Sequence, residues 1–306
     1  MKVGLIGFGK MGSQIAQRLI ASRHQVVTLV RHAHSQRAAK KVGAQTASDY
    51  GNFVAQLGKK PIVWLTVPAD QVDNVLTELL TRLPKKSIII DGGNSDYRLT
   101  LRRAKLCKAR AIDLVDAGIS GGIHGLKNGF SIMIGGALGA FKKTEPLFKV
   151  LAQKQGYAHF GPPGAGHYVK MGHNAVEYGM MESYAEGYQL LKAGKYKQLD
   201  LAKVAQVWQH GSVVVSWLNS LNAGIFKANP RLKGIDGYVA ESGEARWALE
   251  TAKQHKIDTP AIRAAMAVRL ASQSGKVSFA TKLLAAMRNA FGGHTINKEA
   301  NEKTKR

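Results

Sequence analysis

A chain of 306 residues with 45% hydrophobic content is long enough for two domains with a well-formed core and reads as globular. Its formal charge of +24 admits nucleic acid, a membrane surface or a phosphorylated metabolite as an anionic partner without choosing among them. One cysteine, Cys107, excludes an intrachain disulfide framework, and no Cys/His cluster has zinc-like spacing, so a reducing compartment is expected.

The opening "MKVGLIGFGKMG" runs into glycine-punctuated structure without the apolar region of a signal peptide, and no apolar run approaches bilayer length. A soluble, cytoplasmic protein without a membrane partner is expected. In "KVGLIGFGKMGSQIAQRLIASRHQVVTLV" (2–30), a short apolar strand turns through Gly7, Gly9 and Gly12 and continues as a helix with Ile15, Leu19 and Ile20 on one side. A second strand, "QVVTLV", follows. The pattern is G-x-G-x-x-G in the setting that binds a dinucleotide. Gly7 permits the tight turn, Gly9 lets the backbone approach a pyrophosphate, and Gly12 allows close helix-strand packing, with Lys10 and Met11 completing the loop. An ordinary strand-turn-helix unit is the alternative reading.

After the second strand, Val30-Arg31-His32 stands where NAD enzymes often carry an acidic ribose acceptor. Arg31 is suited to fork onto a 2′-phosphate, which favours NADP over NAD, although an arginine in this turn is also compatible with a solvent-facing role. Further strands are expected at 61–67, 87–94, 111–119 and 130–136, giving an α/β, Rossmann-type doubly wound sheet. Val67-Pro68-Ala69 and Asp91-Gly92-Gly93-Asn94 end two of these strands at the edge where such sheets hold ligands. Pro68 is therefore expected to border the adenosine side, with Val67 beside it, and Asn94 to reach the nicotinamide or the substrate. "RLTLRRAKLCKAR" (98–110) reads as a solvated helix face rather than a DNA-reading element, so no nucleic-acid partner is expected.

"HYVKMGHNAVEYG" (167–179) places Lys170, His173, Asn174 and Glu177 along one side of a helix that otherwise reads as buried. Gly172, Val176, Gly179 and Met180 occupy much of the remainder, a pattern suited to close packing. Lys170 and Glu177 are separated by about 10 Å along the axis, too far for easy pairing and suited to a small polar molecule between a base and an acid. A plain ion pair is the competing reading. No group of carboxylates shares a face on which a divalent metal would sit, and no metal is expected.

Taken in order, Gly7/Gly9/Gly12, "DGGNS" (91–95), "GISGG" (118–122) and "GHYVKMGHNAVEYG" (166–179) resemble the 6-phosphogluconate dehydrogenase family over most of the chain. The 3-hydroxyisobutyrate dehydrogenase group is similar at the glycine loop, the Ser-Gly-Gly and the Lys-Asn pair, but is not expected to carry "DGGNS" or the Glu177-Tyr178 continuation. A non-decarboxylating 3-hydroxy-acid dehydrogenase of that type is the alternative function. "AMRNAFGGHTI" (286–296) adds Arg288 and His294, which match the family's C-terminal Arg and His.

The resemblance implies oxidative decarboxylation of 6-phosphogluconate to ribulose 5-phosphate, with NAD or NADP as oxidant, in the pentose phosphate pathway. It implies Lys170 as the base, favoured as a neutral amine beside a cationic nicotinamide, and Glu177 as the acid that protonates C1. Asn94, Ser120, Gly121, Gly122, His173 and Asn174 are implied for the sugar acid, and Tyr178 and Arg288 for the phosphate end. Arg288 and His294 are implied to reach a neighbouring subunit's site, in a homodimer or higher homo-oligomer with shared active sites. The organisation expected is a sheet domain over 1–163 and an all-helical substrate-binding and dimerisation domain over 164–306, the short form of the family. In "ESGEARW" (241–247) the usual short-form Asp and Gly are replaced by Glu241 and Ala245, which leaves the roles of Glu244 and Arg246 open.

Overall fold

The computed structural model describes residues 1–30 and 32–298. The first half alternates strands and helices: β1 (Lys2–Ile6), α1 (Lys10–Ala21), β2 (Gln25–Leu29), α2 (Ala33–Lys41), β3 (Gln45–Ala47), α3 (Tyr50–Leu57), β4 (Ile62–Leu65) and α4 (Val72–Leu80). It continues with β5 (Ile88–Asp91), α5 (Tyr97–Ala109), β6 (Asp113–Ser120), the short α6 (Gly125–Asn128), β7 (Phe130–Gly136), α7 (Leu138–Leu151) and β8 (Ala152–Gly161). Helices follow: α8 (Ala165–Ala193), α9 (Leu201–Trp208), α10 (Trp217–Ala228), α11 (Glu244–Gln254), α12 (Pro260–Gln273) and α13 (Phe279–Gly292). The chain divides into two compact units, Met1–Lys170 and Met171–Arg306, with the divide inside α8. None of the helices among the described residues is long and apolar enough to cross a membrane.

The eight strands of the first unit run in the order β3-β2-β1-β4-β5-β6-β7-β8. All neighbours are parallel except β6 and β7. Strand alternation sends Val3 and Leu5 to one face, where Ile15, Leu19, Leu147 and Phe148 of α1 and α7 cover them. Ile6, Val63 and Ile89 go to the other face, under Phe53, Leu76 and Cys107 of α3, α4 and α5. Each such side chain contributes about 1.5–3 kcal/mol on burial. Because β1 leads to β2 on one side and the chain then crosses to β4 on the other, the order reverses at the carboxyl ends of β1 and β4, where a doubly wound sheet opens its ligand crevice.

Two strands, β3 and β8, were absent from the sequence expectation. Both lie at the sheet's edges, and "AQKQGYAHFG" buries only Ala152, so it lacks the apolar signal of an inner strand. The expected solvated face over 98–110 also needs correction at Arg103, which is 1% exposed. Its guanidinium donates to the fully buried Asp91 (3.2 Å), to Ser95 Oγ (2.7 Å) and to Asp73 (2.7 Å), tying α5 to the end of β5 and to α4.

The helical unit forms its own core. Met181, Ala185 and Tyr188 from α8 meet Phe226 of α10 and Leu283, Leu284 and Met287 of α13. Side chains cap its helices: Asp200 accepts from Ala202 N–H and Lys203 N–H, Ser216 from Asn219 N–H, and Ser278 pairs reciprocally with Thr281.

Candidate active site

The three glycines of the first loop are held for three different reasons. Gly7 has φ +102°, and a Cβ there would stand 2.6 Å from the carbonyl oxygen of Thr66. Gly12 carries the start of α1 so close to the loop that a Cβ would meet the Gly7 carbonyl oxygen at 1.9 Å. At Gly9 an added Cβ meets nothing within 4 Å, so the space over its backbone is open. No side chain caps α1, and its first turn, which includes Lys10 and Met11, carries no acidic residue. A helix start without a side-chain cap, beside an open glycine, fits a pyrophosphate. These features match a dinucleotide's needs.

Thr66-Val67-Pro68 follows β4 alongside that loop, with Thr66 Oγ1 donating to the Gly7 carbonyl (2.5 Å). Gly93, after β5, comes near enough to Val67 that a Cβ would lie 3.0 Å from the Val67 carbonyl oxygen. Val30 is buried at the end of β2, and Arg31 lies outside the described residues. Asn94 adopts φ +50° and is committed to the backbone: its amide donates to the Ile119 carbonyl (3.2 Å) and accepts from Ile119 N–H (2.9 Å). A ligand contact by Asn94 must use its remaining hydrogen-bonding capacity.

Asp116, Gly118 and Ser120 alternate onto one face of β6, and that face seats the start of α8. The Asp116 carboxylate accepts from Gly164 N–H (2.7 Å) and His167 N–H (2.8 Å), an acidic group placed where the helix dipole favours it. Gly118 lies against Lys170, where a Cβ would come 2.3 Å from the lysine Cβ. Lys170 is only 4% exposed. Beyond Ser120 the chain turns through Gly121 (φ +131°) and Gly122 (φ +52°), conformations that suit glycine. The structure thus brings Lys170 to the strand that ends in Ser120-Gly121-Gly122.

In the helical unit, His173 Nδ1 donates to Asn174 Oδ1 (2.9 Å) and stands 3.9 Å from Glu177 Oε2. Tyr178 is buried, and its hydroxyl accepts from Ser242 N–H (3.3 Å). The ring face carries the guanidinium of Arg269, 3.3 Å above its centroid. Arg269 and Arg288 are both buried, and burial is the first cause that lowers the pKa of each; the charge of Arg288 lowers that of Arg269 further, while Tyr178 and Glu177 act to raise both. No ion pair among the described residues includes either arginine. Two buried guanidiniums without a bonded carboxylate have the chemistry to take up an anion.

Arg269 was missed from the sequence. Its signal was a lone arginine amid the apolar residues of "AAMAVRLAS" (264–272). Glu244 is buried near Arg288, with Oε2 lacking a hydrogen bond, whereas Arg246 is exposed and paired with Glu241. Arg288 stands near Tyr178 and Glu177 of its own chain, and its helix α13 contributes Leu283, Leu284 and Met287 to the helical core. The exposed His294 follows α13, its ring edge-on to Phe291. Val176 and Met180 are 58% and 40% exposed in the single chain.

Residues 2–173 match the family model described as the NAD binding domain of 6-phosphogluconate dehydrogenase, and residues 166–280 match the model of its C-terminal domain. The chain belongs to the 6-phosphogluconate dehydrogenase family. It is 39% identical over 299 residues to YqeC of Bacillus subtilis, covering 98% of this chain and 100% of that one. It is 37% identical to the NAD(+)-dependent, decarboxylating 6-phosphogluconate dehydrogenase of Haloferax volcanii, covering 97% and 98%. The structure of Plasmodium falciparum 6-phosphogluconate dehydrogenase superposes with a TM-score of 0.82 at 27% identity, over 99% of this chain and 67% of that one. A Mycobacterium tuberculosis 3-hydroxyisobutyrate dehydrogenase, at TM-score 0.73 and 18% identity over 92% and 97%, shares the fold.

Proposed function

We propose that this member of the family oxidises and decarboxylates 6-phosphogluconate to ribulose 5-phosphate and carbon dioxide, reducing NAD(P)+, as a step of the pentose phosphate pathway. The observation that carries the reading is helix α8, which seats Lys170 against Gly118 and continues, two turns on, to Glu177 and Tyr178. The Plasmodium relative's structures include complexes with NADP+ and with 6-phosphogluconate, which supports the ligand pair.

The loop of Gly7, Gly9, Lys10, Met11 and Gly12 would hold the pyrophosphate, with Val67, Pro68 and Asn94 along the crevice. When bound, the nicotinamide supplies the acceptor for the hydride leaving C3. Lys170 takes the C3 hydroxyl proton in that step and returns it to the 3-keto oxygen as the C1–C2 bond breaks, stabilising the enediolate left by carbon dioxide. Glu177 gives a proton to the carbon that becomes C1 of ribulose 5-phosphate, while Lys170 takes back the proton from the enediol oxygen, which becomes the C2 carbonyl. Asn94, Ser120, Gly121, Gly122, His173 and Asn174 orient the sugar acid. Arg269, held over Tyr178, and Arg288 bind the phosphate. Residues 164–306 form the substrate-binding and dimerisation domain in this reading. Purified protein should reduce NAD(P)+ with 6-phosphogluconate and not with 3-hydroxyisobutyrate; the reverse preference would install the non-decarboxylating reading.

For the cofactor we propose NADP, on the arginine at position 31 and the absence of an acidic residue beside it. Arg31→Asp should lower the ratio of kcat/KM for NADP to that for NAD at least tenfold, since one bidentate phosphate contact is lost and a repelling charge gained. A wild type that already prefers NAD, as the Haloferax relative's name implies for that enzyme, would refute the argument.

We also propose a homodimer. Val176, Met180 and Leu190 fall on one side of α8 and are exposed in the single chain, an apolar stripe suited to a second copy. In such a dimer, sharing between sites rests on the C-terminal Arg288 and the exposed His294. Sedimentation equilibrium should give twice the chain mass, and a monomer at micromolar concentration would contradict it.

A further inference from the structure

Glu182 belongs to none of the roles above, yet it is a carboxyl group only 6% exposed, with neither oxygen in a hydrogen bond. A buried carboxylate in that condition is costly and needs either a proton or a cation. It lies one helical turn beyond Tyr178 on α8, on the same side. The cation within electrostatic reach is Arg269 of α12, whose guanidinium lies over the Tyr178 ring and turns Nη2 toward Met181 Sδ at 3.5 Å. Arg269 therefore spends no donor on Glu182, and its fork stays available to an anion.

The charged groups around the pair are few. Glu186 opposes Glu182 from the same helix, and Arg288 of α13 and Glu177 and Tyr178 of α8 act on Arg269. Desolvation, followed by Glu186, pushes the Glu182 carboxyl up to about 7, against the opposing pull of Arg269. We propose that Glu182 is a positioning residue for Arg269: as a carboxylate it balances the guanidinium while the anion site is empty, and it takes up a proton from solvent when an anion binds. The two anions compete for one cation. The neutral form of Glu182 favours the bound anion, so affinity is fullest below the carboxyl's pKa and declines as pH rises through it. The inference rests on Arg269 and Arg288 forming the anion site proposed above.

Sulfate is the suitable probe, because it stays a dianion across the range and contributes no titration of its own. Its affinity for the purified full chain is read by calorimetry from pH 6 to 8.5. The wild-type Kd should rise roughly tenfold over this range, the order expected for one linked proton. Glu182→Gln, of nearly equal volume and without charge, should keep the low-pH affinity at every pH, with less than a twofold change. Equal slopes in both proteins would overturn the proposal while leaving the anion site standing. Sulfate binding that Arg269→Lys leaves unaltered would remove the anion-site reading, and this inference with it. If the Gln variant does not fold, wild type titrated near pH 7 in two buffers of different ionisation enthalpy decides: uptake of a substantial fraction of a proton per sulfate supports the proposal, and none overturns it.

Discussion

Lys170→Met is expected to fold and to bind NAD(P) as wild type does, yet to lose about 10²–10⁴-fold in kcat, the range supplied by a well-placed general acid-base group. The side chain is nearly enclosed, so methionine keeps the apolar contacts of the lysine stem while losing the amine. Its seat against Gly118 is steric and survives the exchange. Circular dichroism and cofactor titration check the fold and the binding, and a steady-state assay checks the turnover. Retention of more than a tenth of wild-type activity would remove Lys170 from the role of base.

Glu177→Gln is expected to produce the second largest loss, about 10²-fold or more, confined to steps after carbon dioxide has left. The substitution keeps volume and hydrogen-bonding capacity beside His173 but removes the proton donor. In deuterated solvent, wild type should place one deuterium on C1 of ribulose 5-phosphate. The variant should release that product slowly relative to carbon dioxide. Normal release of ribulose 5-phosphate would show that another group protonates C1.

The nucleotide loop was legible because Gly7 and Gly12 each answer a steric demand while Gly9 keeps its backbone open, and three glycines within six positions inside a strand-turn-helix pattern are hard to obtain otherwise. Inner strands were legible for a similar reason: β4 and β5 are short runs buried at every residue. The edge strands were not, since one face in water demands no apolar pattern from β8. Arg103 and Arg269 illustrate a harder limit. Both are buried arginines whose partners, Asp91 and Tyr178, lie 12 and 91 positions away in sequence, and local spacing cannot announce a pairing made by tertiary packing. The stripe of Lys170, His173, Asn174 and Glu177 was visible as a face of one helix. What seats its lysine, Gly118 with Asp116 holding the helix start, emerged only from the strand on which they lie.

The central claim is that oxidation at C3 is coupled to loss of C1 as carbon dioxide. Its most direct test uses 6-phosphogluconate labelled with carbon-13 at C1, incubated with the purified protein and either NADP or NAD, and followed by NMR alongside nicotinamide absorbance. Labelled carbon dioxide and bicarbonate should together equal the reduced nicotinamide formed, with unlabelled ribulose 5-phosphate as the sugar product. Nicotinamide reduction with the label retained in a six-carbon product, or no reduction with either cofactor, would contradict the account.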